Sequence, residues 1–327
     1  MAASDPAPLR GLHHVTAICG APQPNIDFWV GLLGLRLVKR TVNFDDPGTW
    51  HLYYGDGVGS PGSIMTFFPW ASLPPFARAR GRPGAGQVVT TIFAVPGSSL
   101  DFWVDRLAGA AVSFDVVDDA FGERRLALRD PDDIAVELVE TAESGSSHWW
   151  SDGPIPREHA IRRIRGVGVL VNDAAPTARL LTDRLGFRAL DADGRRRRFA
   201  VGDASAPGLL ELIEDAAAPP GRMGIGAVHH VAWRVADRAA EDAWQARLRS
   251  GGVEVTPVMD RQYFESVYFN EPGGVLFELA TDPPGFARDE PVERLGEELR
   301  LPPWLEERRG AIEARLPGIG PPRAWRL

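Results

Sequence analysis

The sequence predicts an α+β fold built from four βαβββ units, two in each half of the chain, followed by a helical tail. Three observations predict it. One helical pattern occurs four times, as NIDFWVGLLGLRLV (25–38), SLDFWVDRLAGAAV (99–112), TARLLTDRLGFRAL (177–190) and EDAWQARLRSGGVEV (241–255). In each, apolar residues recur at helical spacing and a Gly or small residue stops the run. Each copy follows a β-like run, at 12–19, 88–95, 166–171 and 228–235. Each is followed by short strands that close on a turn: SPGSIMTFFPW (60–70), RDPDDIAVELVE (129–140), SAPGLLELIE (205–214) and NEPGGVLFELAT (270–281). Pro, Gly or Asp at the turn, with apolar residues after it, marks a hairpin.

At 327 residues the chain exceeds what one hydrophobic core usually serves, which fits a duplicated architecture. The expected division is an N-terminal domain over 8–140, a linker over 141–163 rich in Ser, Pro and charge, a C-terminal domain over 164–282 and a tail over 283–327. In the first helix Phe28, Trp29, Leu32 and Leu33 form a core-facing stripe. In the tail, PPWLEERRGAIEARLP predicts a helix opened by Pro303 and closed by Pro317. Asp193-Gly194 followed by four arginines (195–198) reads as a solvated hairpin in the third unit.

The balance of 44% hydrophobic and 24% charged residues is that of a soluble globular protein. A net charge of -8 leaves no basic field, so no nucleic-acid partner is expected. The single cysteine, Cys19, rules out an intrachain disulfide and a Cys-based metal cage, and fits a reducing compartment. On a first strand it is expected to be buried and inert. MAASDPAPLRG lacks the apolar core of a secretory signal, and no run approaches the roughly 20 apolar residues of a membrane helix. The expected location is therefore cytoplasmic, away from membranes. GDGVGSPG (55–62) has glycines but neither the strand-to-helix setting nor the lysine of a nucleotide loop.

Chemistry is sought where the copies differ. GLHHVTAICG and GAVHHVAWRV open the first and fourth units and hold four of the seven histidines. At the first-strand position of His14 and His230, the second unit has Thr90 and the third Gly166. At the last-strand position of Glu278, the first unit is aligned with Phe67, the second with Glu137 and the third with Glu211. Only the fourth unit carries both a His and a Glu. Two imidazoles and one carboxylate make a facial triad that leaves three positions of an octahedral metal open, a set suited to non-haem Fe(II) and O2.

Neighbours on a strand point to opposite faces, so only one histidine of each pair can face a common cleft. The repeat register selects His14 and His230. A lone strand histidine is more often a packed core residue than a ligand; the pairing at equivalent positions, with Glu278, favours ligands. Glu137 and Glu211 have no His in their own units and are expected to be structural. So are His51, beside Trp50 in a strand, and His148 and His159 in the linker region.

Together with FWVGLLGLRLVKRTVNFDDPGTWHLYYGD and DRQYFESVYFNEPGGVLFELATDPPGF, these strings resemble the vicinal-oxygen-chelate (glyoxalase-like) superfamily. More closely, they are similar to its ring-cleaving dioxygenases for hydroquinones and chlorohydroquinones. The resemblance covers nearly the whole chain, through the LPPWLEERR tail. It implies the glyoxalase-like fold, with the first and fourth modules building one occupied cup. It implies Fe(II), with Mn(II) as the alternative, held by His14, His230 and Glu278. Around them it places His13, Thr16, His229, Arg261 and Tyr268 as a catalytic surround. The implied partners are a small aromatic diol and O2; a homo-oligomer is left open.

In that reading the metal gathers substrate and O2 on one ion. Tyr268 donates a hydrogen bond or relays a proton at the substrate oxygen, Arg261 stabilises developing negative charge, and His13 and His229 orient ligands. Thr16, two residues after His14, shares its strand face. Without the resemblance, Tyr268 reads equally as a packed barrel tyrosine and Arg261 as a surface ion pair. A para-diol offers the metal one oxygen and a catechol two, so an extradiol catechol dioxygenase is the alternative substrate reading. A glyoxalase-like isomerase or lyase is another, expected to carry a second carboxylate where Phe67 stands. A ligand-sequestering resistance protein, which needs no triad, is the non-enzymatic one.

Overall fold

The computed structural model describes residues 6–72, 79–118, 121–142 and 148–325. The first module runs β1 (Leu12–Cys19), α1 (Pro22–Ile26), β2 (Arg36–Asn43), β3 (Asp46–Gly55) and β4 (Ile64–Pro69). The second runs β5 (Gln87–Pro96), α2 (Leu100–Gly109), β6 (Phe114–Asp118), β7 (Arg124–Arg129) and β8 (Ala135–Thr141). The third runs β9 (Arg163–Val171), α3 (Ala174–Arg179), β10 (Arg188–Asp193), β11 (Arg196–Val201) and β12 (Gly208–Glu214). The fourth runs β13 (Ala227–Val235), α4 (Arg238–Ser250), β14 (Met259–Asp260), β15 (Glu265–Asn270) and β16 (Leu276–Thr281). Strand, helix and three strands thus recur four times.

Local chemistry sets the helix ends. Asp173 and Asp237 cap α3 and α4 by accepting from the Ala175 and Ala240 amides. α1 and α3 each widen into a π turn, over Asp27–Leu32 and Leu180–Arg184. Gly34 ends the first of these at φ +76, a backbone that other residues rarely adopt; an added Cβ there would also meet Ile155 at 2.2 Å. Trp29, Trp103 and Trp233 are fully buried in the core that these elements enclose.

The strands form two eight-stranded sheets, ordered β14-β15-β16-β13-β1-β4-β3-β2 and β10-β11-β12-β9-β5-β8-β7-β6. Each sheet takes one module from each half of the sequence: the first joins the fourth, the second joins the third. At the two seams β1 runs antiparallel to β13 and β5 antiparallel to β9. Inside each module the first strand lies parallel to the last, as β1 does to β4 and β13 to β16.

Strand register corrects one expectation. Glu278 pairs with Ala232, Glu211 with Gly168 and Glu137 with Ile92, each two residues beyond the histidine-equivalent position. The counterpart in the first module pairs with Thr16, and it is Thr66. Phe67 is therefore one residue out of register, and a one-residue slip puts a side chain on the other face. Phe67 packs instead against Trp29 and Tyr54 in the core.

Two other expectations change. Arg198 is buried rather than solvated; alternation along β11 turns it inward, where it meets Glu211 at 2.7 Å and Glu123 at 2.8 Å. Arg125 on β7 joins them, bonding Glu211 and Glu137 at 2.6 Å each. The cup of the second sheet is thus occupied by an ion cluster, with Glu211 and Glu137 in structural roles. The tail is helical but split, as a 3-10 turn over Pro303–Arg308 and α5 (Arg309–Glu313), which bury Leu305 and Ile312 beside Val42 and Leu301. Within the expected linker, residues 143–147 lie outside the described ones. Among the described residues no helix is long and apolar enough to cross a membrane.

Candidate metal centre

At the seam between β1 and β13, Thr16 pairs with His230 and His14 with Ala232. His14 and His230 are therefore diagonal neighbours on one face, close enough for their side chains to meet. Their Nε2 atoms lie 3.2 Å apart, although 216 residues separate them in sequence. Glu278, on β16 next to β13, brings Oε2 to 3.3 Å from His14 Nε2 and 2.8 Å from His230 Nε2. Among the described residues, this is the group whose His, Asp, Glu or Cys ligand atoms converge as a metal site requires.

The hydrogen-bond network assigns the protons around His14. His13 Nε2 lies 3.1 Å from the Thr281 carbonyl, which can only accept, so that nitrogen carries hydrogen. Burial, helped by the nearby His14, pushes the His13 pKa down to about 3, so the ring is neutral and its Nδ1 is bare. His14 Nδ1, 2.9 Å away, must donate to it. His14 Nε2, at the other end of the ring, is aimed at Glu278 and His230. Burial likewise lowers the pKa of His230. Burial favours a neutral Glu278, but the two imidazoles outweigh it and hold the carboxyl well below the usual carboxylate range.

Two imidazole nitrogens and an ionised carboxylate converge here in a buried space. Glu278 Oε2 has no well-formed hydrogen bond despite its short separation from His230. A buried carboxylate oxygen without a hydrogen bond is costly unless a cation lies beside it. The donor set fits a divalent metal taking two His and one carboxylate. The remaining atoms of these side chains are braced. Ser266 donates to Glu278 Oε1, and His229 Nδ1 lies 2.8 Å from His230 Nδ1. Such outer contacts fix ligand orientation.

A cavity of about 340 Å³ opens onto His14 and His230. His229, Arg261 and Tyr268 line it, together with aromatic faces including Phe68 and Phe264. Arg261 Nε donates to the Tyr268 hydroxyl at 3.2 Å and its Nη1 donates to Asp45 at 3.1 Å. Burial raises the Tyr268 pKa far above that of a free phenol, with Glu278 adding to the shift. His229 is pushed down to about 4 by burial and by His230. Of the residues expected around the site, His229, Arg261 and Tyr268 reach the cavity. His13 stands behind His14, and Thr16 is fully buried behind the wall, accepting from Thr66 at 3.1 Å.

His51, expected to be structural, lines the cavity. Its ring lies 4.0 Å from that of Tyr53 and 4.3 Å from that of Phe68. Alternation along β3 was the available signal: His51 and Tyr53 share a face, and the register of β3 on β4 sets Tyr53 opposite Thr66. His148 and His159 do sit in packing roles, His148 beside Ser60 and His159 stacked on Phe102 at 4.3 Å. Cys19 is buried, and its thiol is pushed up by burial.

Known proteins share this arrangement of modules. The chain is 44% identical over 308 residues to "Putative ring-cleaving dioxygenase MhqO" of Bacillus subtilis, covering 94% of this chain and 95% of that one. It is 33% identical over 308 residues to "Chlorohydroquinone/hydroquinone 1,2-dioxygenase" of Sphingobium indicum, covering 92% and 94%. A crystal structure described as a putative dioxygenase from Bacillus subtilis superposes with a TM-score of 0.90 at 42% identity, over 96% of this chain and 98% of that one. Glyoxalase I of Zea mays shares the fold, with a TM-score of 0.61 at 15% identity over 83% of this chain and 92% of that one. Residues 11–138 and 163–279 each match one family profile, and the chain belongs to that family, the Glyoxalase/Bleomycin resistance protein/Dioxygenase superfamily.

Proposed function

We propose that this protein is a ring-cleaving dioxygenase that binds Fe(II), with Mn(II) as the alternative, through His14, His230 and Glu278. Its substrates are hydroquinone-type para-diols, chlorinated ones included. The observation that carries the reading is the convergence of two imidazoles and a carboxylate beside an aromatic-walled cavity. The names of the relatives, which cover more than nine-tenths of the chain, support the same chemistry.

When bound, the metal supplies Lewis acidity and a common seat for substrate and O2. The rest falls to the chain. His13 and His229 hold the two ligand imidazoles in one tautomer and orientation, and Ser266 fixes Glu278. Tyr268 stays protonated and receives the Arg261 Nε–H, which polarises its own O–H toward a substrate oxygen. Arg261 keeps a positive charge where negative charge develops on the opening ring. The faces of Phe68, Trp70 and Phe264 match a flat ring and exclude water. A glyoxalase-type reaction with a second carboxylate ligand is disfavoured, because the register counterpart of Glu278 in the first module is Thr66.

The test is anaerobic loading with Fe(II), followed by O2 uptake with hydroquinone and catechol side by side. Uptake matched to loss of hydroquinone, with an acyclic acid as product, supports the reading. Preference for catechol by about tenfold or more, equivalent to about 1.4 kcal/mol of transition-state stabilisation, would move it to extradiol cleavage.

A further inference from the structure

The two walls of the cavity are related by the module repeat. Tyr268 pairs in register with Glu278, and Tyr53 pairs with Thr66. His51 stands two residues before Tyr53, as Ser266 does before Tyr268. On the fourth-module wall the chain of contacts ends on Glu278. On the first-module wall it runs Tyr53, His51, Thr66, Thr16, with separations of 2.9, 2.7 and 3.1 Å.

The protons on that second wall have one consistent order. Thr66 gives its hydrogen to Thr16, so it must receive one from His51 Nε2. His51 is part-buried, and its desolvation holds the ring neutral, which leaves Nδ1 bare to accept the Tyr53 O–H. The phenol hydrogen of Tyr53 is therefore committed. What its oxygen can offer the cavity is a lone pair. Tyr268 has the opposite polarity, since its oxygen already accepts from Arg261.

We infer that Tyr53, locked as an acceptor by His51, is the specificity residue for the second hydroxyl of the substrate ring. The inference rests on the ring-cleaving reading of the site. A para-diol held through one oxygen has a neutral hydroxyl at its far end, and that hydroxyl must donate to something inside the cavity. Tyr53 accepts it, while the rings of His51 and Phe68, tilted against each other, line the same wall. His51 acts through Tyr53 and is a positioning residue. A ring whose far oxygen carries a methyl group in place of hydrogen has nothing to donate and is discriminated against.

The experiment measures binding rather than turnover. Fe(II)-loaded protein under argon is titrated with hydroquinone, 4-methoxyphenol and phenol, read by quenching of tryptophan fluorescence; Trp70 lines the cavity. Wild type should bind hydroquinone about tenfold more tightly than the other two, the effect of one well-placed buried hydrogen bond. Tyr53→Phe should erase that preference, leaving phenol affinity and metal content unchanged. His51→Phe keeps an aromatic ring in place but frees the Tyr53 hydrogen, so 4-methoxyphenol should gain on hydroquinone. His51→Gln, whose amide can still donate to Thr66 and accept from Tyr53, should restore part of the preference. Hydroquinone preference intact in Tyr53→Phe overturns the assignment and leaves the dioxygenase reading standing. Failure of wild type to bind any of the three rings overturns both.

Discussion

Thr66 and Glu278 hold the same register position on opposite sides of the β1–β13 seam, Thr66 opposite Thr16 and Glu278 opposite Ala232. The two flanking histidines are likewise equivalent, so the cup is symmetric in its imidazoles and asymmetric in its carboxylate. An ion held by His14, His230 and Glu278 would find a carboxylate on the fourth-module side and only a threonine hydroxyl at the matching place in the first. Thr66→Glu should therefore keep the metal and put a second carboxylate at that place. Elemental analysis should find metal retained, while O2 uptake falls by at least about tenfold because a position needed by substrate or O2 is filled. Undiminished turnover in this variant would place the open coordination positions elsewhere.

Glu211 occupies in the second sheet the place that Glu278 has in the first, yet it faces Arg125 and Arg198 rather than histidines. Glu211→Ala should leave metal content and turnover intact and cost up to about 3 kcal/mol of stability, because it leaves two buried guanidinium groups with only Glu137 and Glu123 to balance them. Denaturant unfolding followed by metal analysis checks both halves. Metal loss at constant stability would reverse the roles of the two cups.

Tyr268→Phe removes a donor and little volume. Metal content should be unchanged, and kcat should fall on the order of a hundredfold, the usual weight of a positioned proton donor. If metal falls in proportion to rate, Tyr268 braces the ligands instead of acting on substrate.

Glu241 on α4 is buried with neither carboxyl oxygen hydrogen-bonded. Burial, with Glu265 nearby, pushes its carboxyl from the ordinary 4.5 up to about 8. A raised carboxyl pKa means that the folded state binds the proton more tightly than the unfolded one. The stabilisation is full below the unfolded pKa and is lost as pH rises toward 8. Glu241→Gln should flatten that decline and raise Tm at pH 8.5 by several degrees, at about 2–4 °C per kcal/mol or less for a chain of this size. Parallel Tm–pH curves for the two proteins would show that Glu241 is not the group responsible.

Much of this was legible in the sequence, for a physical reason. Helix periodicity and turn residues are local, so four modules, the two HH pairs and Glu278 stand out in a single chain. Pairings between distant strands are not local. Nothing in the strand patterns says that β1 meets β13 rather than β9; the family resemblance implies it. IMTFF in β4 is buried on both faces, so it lacks the alternation that fixes register, and Phe67 was aligned where Thr66 belongs. Arg198 looked solvated because its partners, Glu211 and Glu123, arrive from other strands. His51 looked structural for the same reason: Thr66 becomes its neighbour when β3 and β4 pair.

The assignment of His14, His230 and Glu278 as one metal site is tested most directly by metal stoichiometry. Wild type and the single variants His14→Ala, His230→Ala and Glu278→Ala are loaded anaerobically with Fe(II), desalted and analysed for metal per chain. A two-histidine, one-carboxylate site should hold about one ion in wild type and little in any variant, since each removes one of three protein ligands. An ion retained at full occupancy in Glu278→Ala would contradict it.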